Sequence, residues 1–481
     1  MSYRNVRSHV LGVACICCLS LSFSSNSLGQ VVPVTDFGSI GRSVQRSTLT
    51  EFNGEVVFSV GIDNTFEREI WAFDGVRSRR IAGGFFGESE IAIDEFTEFQ
   101  DRLYFSADRG TVGTELYRYD GESVSLAVDI ETGLGDSFPV NFVTHNNALF
   151  FSAKVGESFN SLWRYDGSEA IRIASFDDPR ASVVTGATYQ GDLYFGADHN
   201  GTGMELWKYD GREVQMVADV SEGPADSYPR EFAVVGDELF FKATTSVGQE
   251  VWKFDGEDVS LVADVNPGAV SSDPRHLTEF NGELLFSAVS QRQRSVFAYD
   301  GESLDRVVSG GGPIPIGDEL FTIRGNRSGG TEINELYSLD GTFHRSLVES
   351  AGPFLTFNDT LYFSCSCDER ELYKVADAGD ANGDGAVTFL DFLTLSDNFG
   401  NSGVWKSGDF DGNGVVNFAD FLRQSENFGG APLDKSFSAS ASSVASVPEP
   451  SGAVLAMICG LMLIALRERI GASHRLQNGR L

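Results

Sequence analysis

Glu205-Leu-Trp-Lys-Tyr-Asp-Gly211 recurs as Glu115-Leu-Tyr-Arg-Tyr-Asp-Gly121 and Glu250-Val-Trp-Lys-Phe-Asp-Gly256, with weaker copies elsewhere in the 481-residue chain. Its Asp-Gly ends fall at Asp74, Asp120, Asp166, Asp210, Asp255, Asp300 and Asp340, spaced by 46, 46, 44, 45, 45 and 40 residues. A period in the forties with short strands between turns points to propeller blades, a solenoid being the alternative. One period, from Tyr228 to Val265, carries four strand-like runs at 231–235, 238–243, 250–254 and 259–265. Gly236-Asp237 and Asp255-Gly256 are short hairpin turns, where glycine supplies the positive φ that other residues resist. The runs are nearly continuous in apolar residues, as expected where neighbouring blades cover both faces of each sheet.

The hairpin of second and third strands occurs eight times, starting near Val56, Leu103, Leu149, Leu193, Leu239, Leu284, Leu320 and Leu361. The eighth copy, Glu371-Leu-Tyr-Lys-Val375, stops before a fourth strand. A spare one opens the expected mature chain: Val31-Val-Pro-Val-Thr-Asp-Phe-Gly38 aligns with Leu261-Val-Ala-Asp-Val-Asn-Pro-Gly268. The expectation is an all-β, eight-bladed β-propeller over residues 30–376, closed by the N-terminal strand. Closure removes open sheet edges that otherwise invite aggregation. The repeated phrase resembles the ELW-x-x-DGT repeat of bacterial extracellular β-propellers, most of them without an assigned activity; Thr342 keeps the final threonine of that motif.

Glu69, Glu115, Glu205, Glu250, Glu335 and Glu371 share one repeat position. A residue present in every blade serves blade architecture, as by accepting backbone N–H bonds in turns. Trp163, Trp207 and Trp252 are expected to pack between blades. His145, His199, His276 and His344 stand singly, with neither a His-x-x-x-His nor a Gly-x-Ser-x-Gly spacing. The 69 acidic residues offer many carboxylate pairs, but spacing marks none of them as the pair of a glycoside hydrolase.

Residues 380–391 read Asp-Ala-Asn-Gly-Asp-Gly-Ala-Val-Thr-Phe-Leu-Asp, and 409–420 read Asp-Phe-Asp-Gly-Asn-Gly-Val-Val-Asn-Phe-Ala-Asp. Both fit the twelve-residue EF-hand register, in which a hard cation collects carboxylate, amide and backbone oxygens. The expected ligands of two calcium ions are Asp380, Asn382, Asp384, Ala386 through its carbonyl, Thr388 directly or through water, and Asp391 in the first loop. Asp409, Asp411, Asn413, Val415, Asn417 and Asp420 match them in the second. Gly385 and Gly414 take the sharp turn, and amphipathic helices over 389–399 and 418–428 end at Gly400 and Gly429. With loops this small, calcium is expected to fold the segment, so a chelator should melt residues 378–430 and spare the propeller. Aspartate at the twelfth position and the duplicated loop and helix resemble a dockerin type I domain, here spanning 377–430. That resemblance implies a cohesin-like partner and, often, a polysaccharide-degrading enzyme upstream. Where cellulosomal members usually carry Ser-Thr, this chain has Phe389-Leu390 and Phe418-Ala419.

Residues 1–29 set Arg4 and Arg7 before an apolar run and a polar Ser/Asn stretch, the order of a secretory signal peptide. Three cysteines, Cys15, Cys17 and Cys18, leave with it. Cys365 and Cys367, two apart on an expected strand, read as small buried residues, so no disulfide framework supports the fold. A Ser/Ala linker, 431–446, precedes Val447-Pro448-Glu449-Pro450-Ser451, an apolar run over 452–466, and Arg467 and Arg469. This resembles a PEP-CTERM sorting signal over 447–481, which implies processing by an exosortase and delivery to the envelope. Fifteen residues make about 22 Å of helix, favouring transient over lasting membrane insertion. A net charge of −33, from 36 basic and 69 acidic residues, excludes nucleic acid as an electrostatic partner. The expected function is therefore a secreted envelope or matrix protein. Its propeller binds glycan or protein, and its calcium loops dock to a cohesin-like partner or bring it to envelope polysaccharide. A dockerin-bearing glycoside hydrolase is the alternative.

Overall fold

Runs such as Leu239-Phe-Phe241 and Leu284-Leu-Phe286, flanked by Asp-Gly and Asn-Gly turns, commit the chain to short antiparallel strands buried on both faces. The computed structural model describes residues 31–426 other than 38–39, 45–48, 76, 87–92, 94, 157, 177–183, 199–200, 317–318, 329–330, 339–342, 350, 358–359, 366–370, 376–378, 382–386, 403–407, 409 and 411–414. The expected signal peptide, linker and sorting tail lie outside the described residues. So do His199, Asp340, Thr342 and Cys367. All described residues belong to one compact unit, Met1–Leu433.

Among the described residues the strands form seven hydrogen-bonded sheets of an all-β propeller, six of four strands and one of nine. Five sheets are simple meanders in chain order. In one, Arg230–Val235, Glu238–Thr245, Gly248–Phe254 and Val259–Ala263 pair successively, within two residues of the expected bounds. The fourth strand stops early because Asp264 opens the loop toward the next sheet. First strands adjoin one another: Val140–His145 lies against Val184–Tyr189, that against Arg230–Val235, and that against Arg275–Phe280. Thr50–Phe52 in turn lies against Ala351–Phe357, so the first and last sheets meet.

The sheet of Ala351–Phe357, Thr360–Cys365 and Leu372–Val375 takes Val31–Pro33 as its fourth strand, in the register Val31↔Val375, Val32↔Lys374 and Pro33↔Tyr373. Just beyond it Val34 N donates to Leu372 O at 2.8 Å and Leu372 N to Thr35 Oγ1 at 3.0 Å, while the Thr35 hydroxyl donates to Glu371. The nine-stranded sheet holds two of the eight expected hairpins. Its halves join through one residue pair, Phe86↔Asp108, where the nine-residue strand Ser78–Phe86 overruns toward Arg102–Asp108. Hydrogen bonding thus counts seven sheets against eight expected blades.

The cores lie between neighbouring sheets. Leu149, Phe151 and Tyr165 pack with Phe99, Tyr104 and Leu116 of the preceding sheet. Phe37, Phe58 and Phe73 pack with Phe357, Tyr362 and Leu372, joining the two ends of the chain's β region. Trp207 is buried in such a core, and Trp163 and Trp252 pack against others, as expected. Two helices follow, α1 (Phe389–Asn398) and α2 (Phe418–Glu426). None of the described helices is long and apolar enough to cross a membrane.

Candidate functional site

Six of the twelve expected calcium ligands lie among the described residues: Asp380, Thr388, Asp391, Val415, Asn417 and Asp420. Asn382, Asp384, Ala386, Asp409, Asp411 and Asn413 lie outside them. Each ninth-position residue begins a helix. Thr388 is the N-cap of α1, its hydroxyl accepting from Leu390 N at 3.2 Å. Asp391 Oδ2 accepts from Thr388 N at 2.8 Å and Thr388 Oγ1 at 3.0 Å, closing a capping box. In the second copy Asp420 Oδ2 accepts from Asn417 N at 2.7 Å, and Asn417 Oδ1 from Ala419 N at 2.8 Å. With its hydroxyl engaged twice, Thr388 suits a water-mediated contact with a cation better than a direct one. The Val415 carbonyl, expected to face a cation, accepts from Asn417 Nδ2 at 2.8 Å.

Asp380, Asp391 and Asp420 are all essentially buried. Buried carboxylates are costly unless a cation compensates them. For Asp380 one such cation is Lys374, itself buried, with Nζ 3.5 Å from Oδ2. The donors these described residues offer, carboxylate, amide and carbonyl oxygen, are of the kind that fits a hard divalent cation.

Sequence reading missed two glycines that fix how the copies meet. Gly379 and Gly408, each just before a loop, adopt φ of +112° and +98°. A Cβ on Gly379 would fall 2.9 Å from Gln424 Cα, and one on Gly408 would fall 2.7 Å from Leu395 Cα. The glycine before each loop therefore meets the opposite helix at the same point, four residues after the twelfth-position aspartate. Ala381, Leu395, Phe410 and Val416 form the shared core beneath. The signal was in the sequence as two glycines 29 residues apart, the interval between the loops themselves.

The outer faces of the helices are apolar and exposed. Phe389, Leu390 and Leu393 on α1 and Phe418 and Leu422 on α2 are 42–63 % exposed. Phe389 and Phe418, like Leu393 and Leu422, are again 29 residues apart. Isolated apolar side chains on a surface are ordinary; here the exposed apolar positions of one helix recur at the matching positions of the other.

In the propeller the recurring glutamates are architectural. Glu205 Oε2 accepts from Val220 N at 2.6 Å and Ser227 Oγ at 2.7 Å, and Oε1 accepts from Ser227 N at 3.0 Å. Glu115 binds Ile130 N and Ser137 Oγ, and Glu250 binds Val265 N and Ser272 Oγ, in the same pattern. Each glutamate ties the loop after the fourth strand back to its own sheet. Burial pushes Glu115 and Glu205 up to about 7, against the pull of these donors. Such a value suits a general acid, but both side chains are fully buried and filled with donors, so no substrate reaches them. Glu69 differs: burial raises it, yet Arg42, Trp71 and Arg80 together bring it below the usual range. The Asp-Gly aspartates fold the turns. Asp166 Oδ1 accepts from Ser168 N and Glu169 N, and these bonds hold the carboxyl down to about 2.

His145 is buried, bonded to Thr188 and Asn146, and held below the usual histidine range by burial. His344 lies on Phe343–Glu349 and Cys365 ends Thr360–Cys365. His276 joins a cluster of charges that spacing did not reveal.

No family model and no curated protein matches the chain. Among solved structures, it is similar to the computationally designed Ika8 protein, with TM-score 0.46 and 11 % identity over 70 % of this chain and 96 % of that one. A structure described as one of two prolyl endopeptidases gives TM-score 0.44 and 10 % identity over 69 % and 56 % of the two chains. The β-propeller domain of the Trilobed protease from Pyrococcus furiosus gives 0.38 and 13 % over 55 % and 83 %. Likeness at this level carries no argument about activity.

Proposed function

We propose that the chain is a secreted envelope or matrix protein whose propeller is a binding platform and whose paired loops take two calcium ions and dock to a cohesin-like partner. The observation that carries this reading is the twofold repetition at a 29-residue interval. Pre-loop glycine, capped helix, buried twelfth-position aspartate and exposed apolar residue each occur twice. In this reading the ring has eight blades, the nine-stranded sheet being two blades bridged at one residue pair, and Val31–Pro33 closes it. The paired loops form a dockerin-like domain. Asp380, Asp391, Asp420 and the oxygens between them hold the ions, which rigidify the loops and fix the apolar face of α1 and α2 for its partner. The N-terminal segment directs export, and the Pro-Glu-Pro tail is cut by an exosortase-type enzyme after transient membrane insertion. Envelope polysaccharide is the medium in which the protein resides.

The hydrolase alternative gains no support from the described carboxylates. Glu115 and Glu205, raised to about 7, are enclosed, and the exposed turn aspartate Asp166 is held low. Calorimetric titration of the full chain with Ca²⁺, alongside far-UV circular dichroism, tests the reading. Heat of binding with a gain of helix is expected, and neither signal appearing at millimolar Ca²⁺ would remove the docking role.

A further inference from the structure

The second strand of each repeat carries a small residue three positions after its first apolar side chain: Ser59, Ser106, Ser152, Gly196, Ser287 and Ser364, with Ile323 in the seventh copy. The fifth copy alone breaks this with a charge, Lys242, and the lysine is buried. A buried ammonium is costly, so a position where serine serves elsewhere does not acquire one for packing.

The lysine reaches across the seam between two sheets. Its Nζ donates to Pro274 O at 3.0 Å and stands 4.0 Å from Glu231 Oε1 and 3.9 Å from Asp273 Oδ1. Both carboxylates have other partners. Asp273 Oδ2 takes Arg294 at 2.6 Å and Arg275 at 2.8 Å, and Glu231 Oε2 accepts from His276 N at 2.8 Å. Arg230 faces Lys242 in the strand register as Arg275 faces Ser287, whereas Val140 and Val184 hold that place in the two preceding sheets. His276, next to Arg275, is seated against Gly312, where a Cβ would fall 2.5 Å from Nδ1. Three cations, Lys242, Arg275 and Arg294, thus meet two carboxylates, with a fourth, Arg230, opposite Lys242 in the register, in a chain of net charge −33. Arg230, Arg275 and His276 are exposed.

We propose that this seam is a binding site for a single oxyanion carried on a sugar, a carboxylate or a sulfate. Arg230 and Arg275, a matched pair on adjacent first strands, take its oxygens, and Lys242 beneath them supplies charge that water does not screen. The acidity of the rest of the surface limits the ligand to one or two charges, because a polyanion is repelled everywhere but here. The inference rests on the reading of the propeller as a platform and names what it takes.

Calorimetry on the full chain with D-glucuronate, galactose 6-sulfate, inorganic sulfate and glucose tests it. Lys242→Ser restores the residue of the other repeats and Arg230→Val that of the preceding sheets, so both variants are expected to keep the wild-type thermal midpoint. One of the two sugar acids should bind, more weakly as salt rises, and each variant should lose at least tenfold in affinity. Wild-type affinity in both variants would overturn the proposal. Binding of inorganic sulfate alone overturns the sugar as ligand. Glucose binding as well as the acids overturns the anion site while leaving the platform, and no binding by any probe overturns both.

Discussion

At the scale of single residues, the recurring acids of this protein divide into two populations with opposite consequences for stability. Glu115 and Glu205 titrate higher folded than unfolded, because burial opposes their charge. The folded state therefore binds more protons between pH 4.5 and about 7, and stability falls as pH rises through that window. Each group contributes at most about 3 kcal/mol to that fall. Asp120, Asp166, Asp210, Asp255 and Asp300 are held low by the N–H groups of their turns, so the stability they provide is lost as pH falls below the ordinary carboxylate range. The thermal midpoint should accordingly rise from pH 8 to about 5 and drop again in stronger acid. Glu205→Gln should flatten the rise above pH 5 and leave the acid limb unchanged, as followed by calorimetry across pH. An unchanged slope would show that Glu205 is ionised at no cost. A second residue-scale outcome concerns Gly408. Alanine there meets both a positive φ and the Leu395 backbone, and should destabilise the paired loops by about 2 kcal/mol or more. The measurement is a rise in the Ca²⁺ needed for half-maximal helix.

At the scale of elements, the strands were legible because each repeat states its hairpins twice over, in an apolar triplet and in the glycine of the turn. The strands around Leu239 and Trp252 fall within two residues of the sequence reading, which runs the fourth through Asp264 to 265 where the structure ends it at Ala263. What was not legible is how far a strand overruns. Ser78–Phe86 passes through a register shift at Gly84, which has a φ of +76°, and its last residue bridges to the neighbouring sheet at Asp108. The charged seam stayed hidden for a related reason: Lys242, Asp273 and Arg294 are 31 and 21 residues apart, and only sheet packing brings them together. The helices, by contrast, were announced by the amphipathic pattern after each loop, whereas the capping by Thr388 and Asn417, read only as ligands, emerged from the structure. The N-terminal strand is held less by its three residue pairs than by Phe37, buried against Trp71 at 4.8 Å between ring centres. Phe37→Ala should cost about 3–5 kcal/mol in a denaturant titration. A loss below about 1 kcal/mol would mean that the first segment is not part of the core.

At the scale of the molecule, the propeller and the paired loops are not independent neighbours. Lys374 of the last sheet and Asp380 of the first loop form a buried pair, and burial, with a smaller push from Asp380, raises Tyr362 of that sheet to about 12. A cation bound at Asp380, as proposed, would therefore act on the sheet that holds both ends of the β region. Chelation, expected from the sequence to melt the loops and spare the propeller, should also lower the stability of the last sheet, visible as faster amide exchange at 361–364 and 372–374. The proposed docking role is a separate matter of surface chemistry: if it holds, Phe389→Asp with Phe418→Asp should abolish capture of a partner and leave Ca²⁺ affinity within about twofold, both residues being exposed.

The most direct test of the account is native mass spectrometry of the full chain with and without Ca²⁺, beside the variant Asp391→Asn with Asp420→Asn. Asparagine keeps the helix caps but removes the charge at both twelfth positions. Two bound ions in the wild type and none in the variant are predicted; an unchanged mass at millimolar Ca²⁺, or equal loading of both proteins, would contradict it.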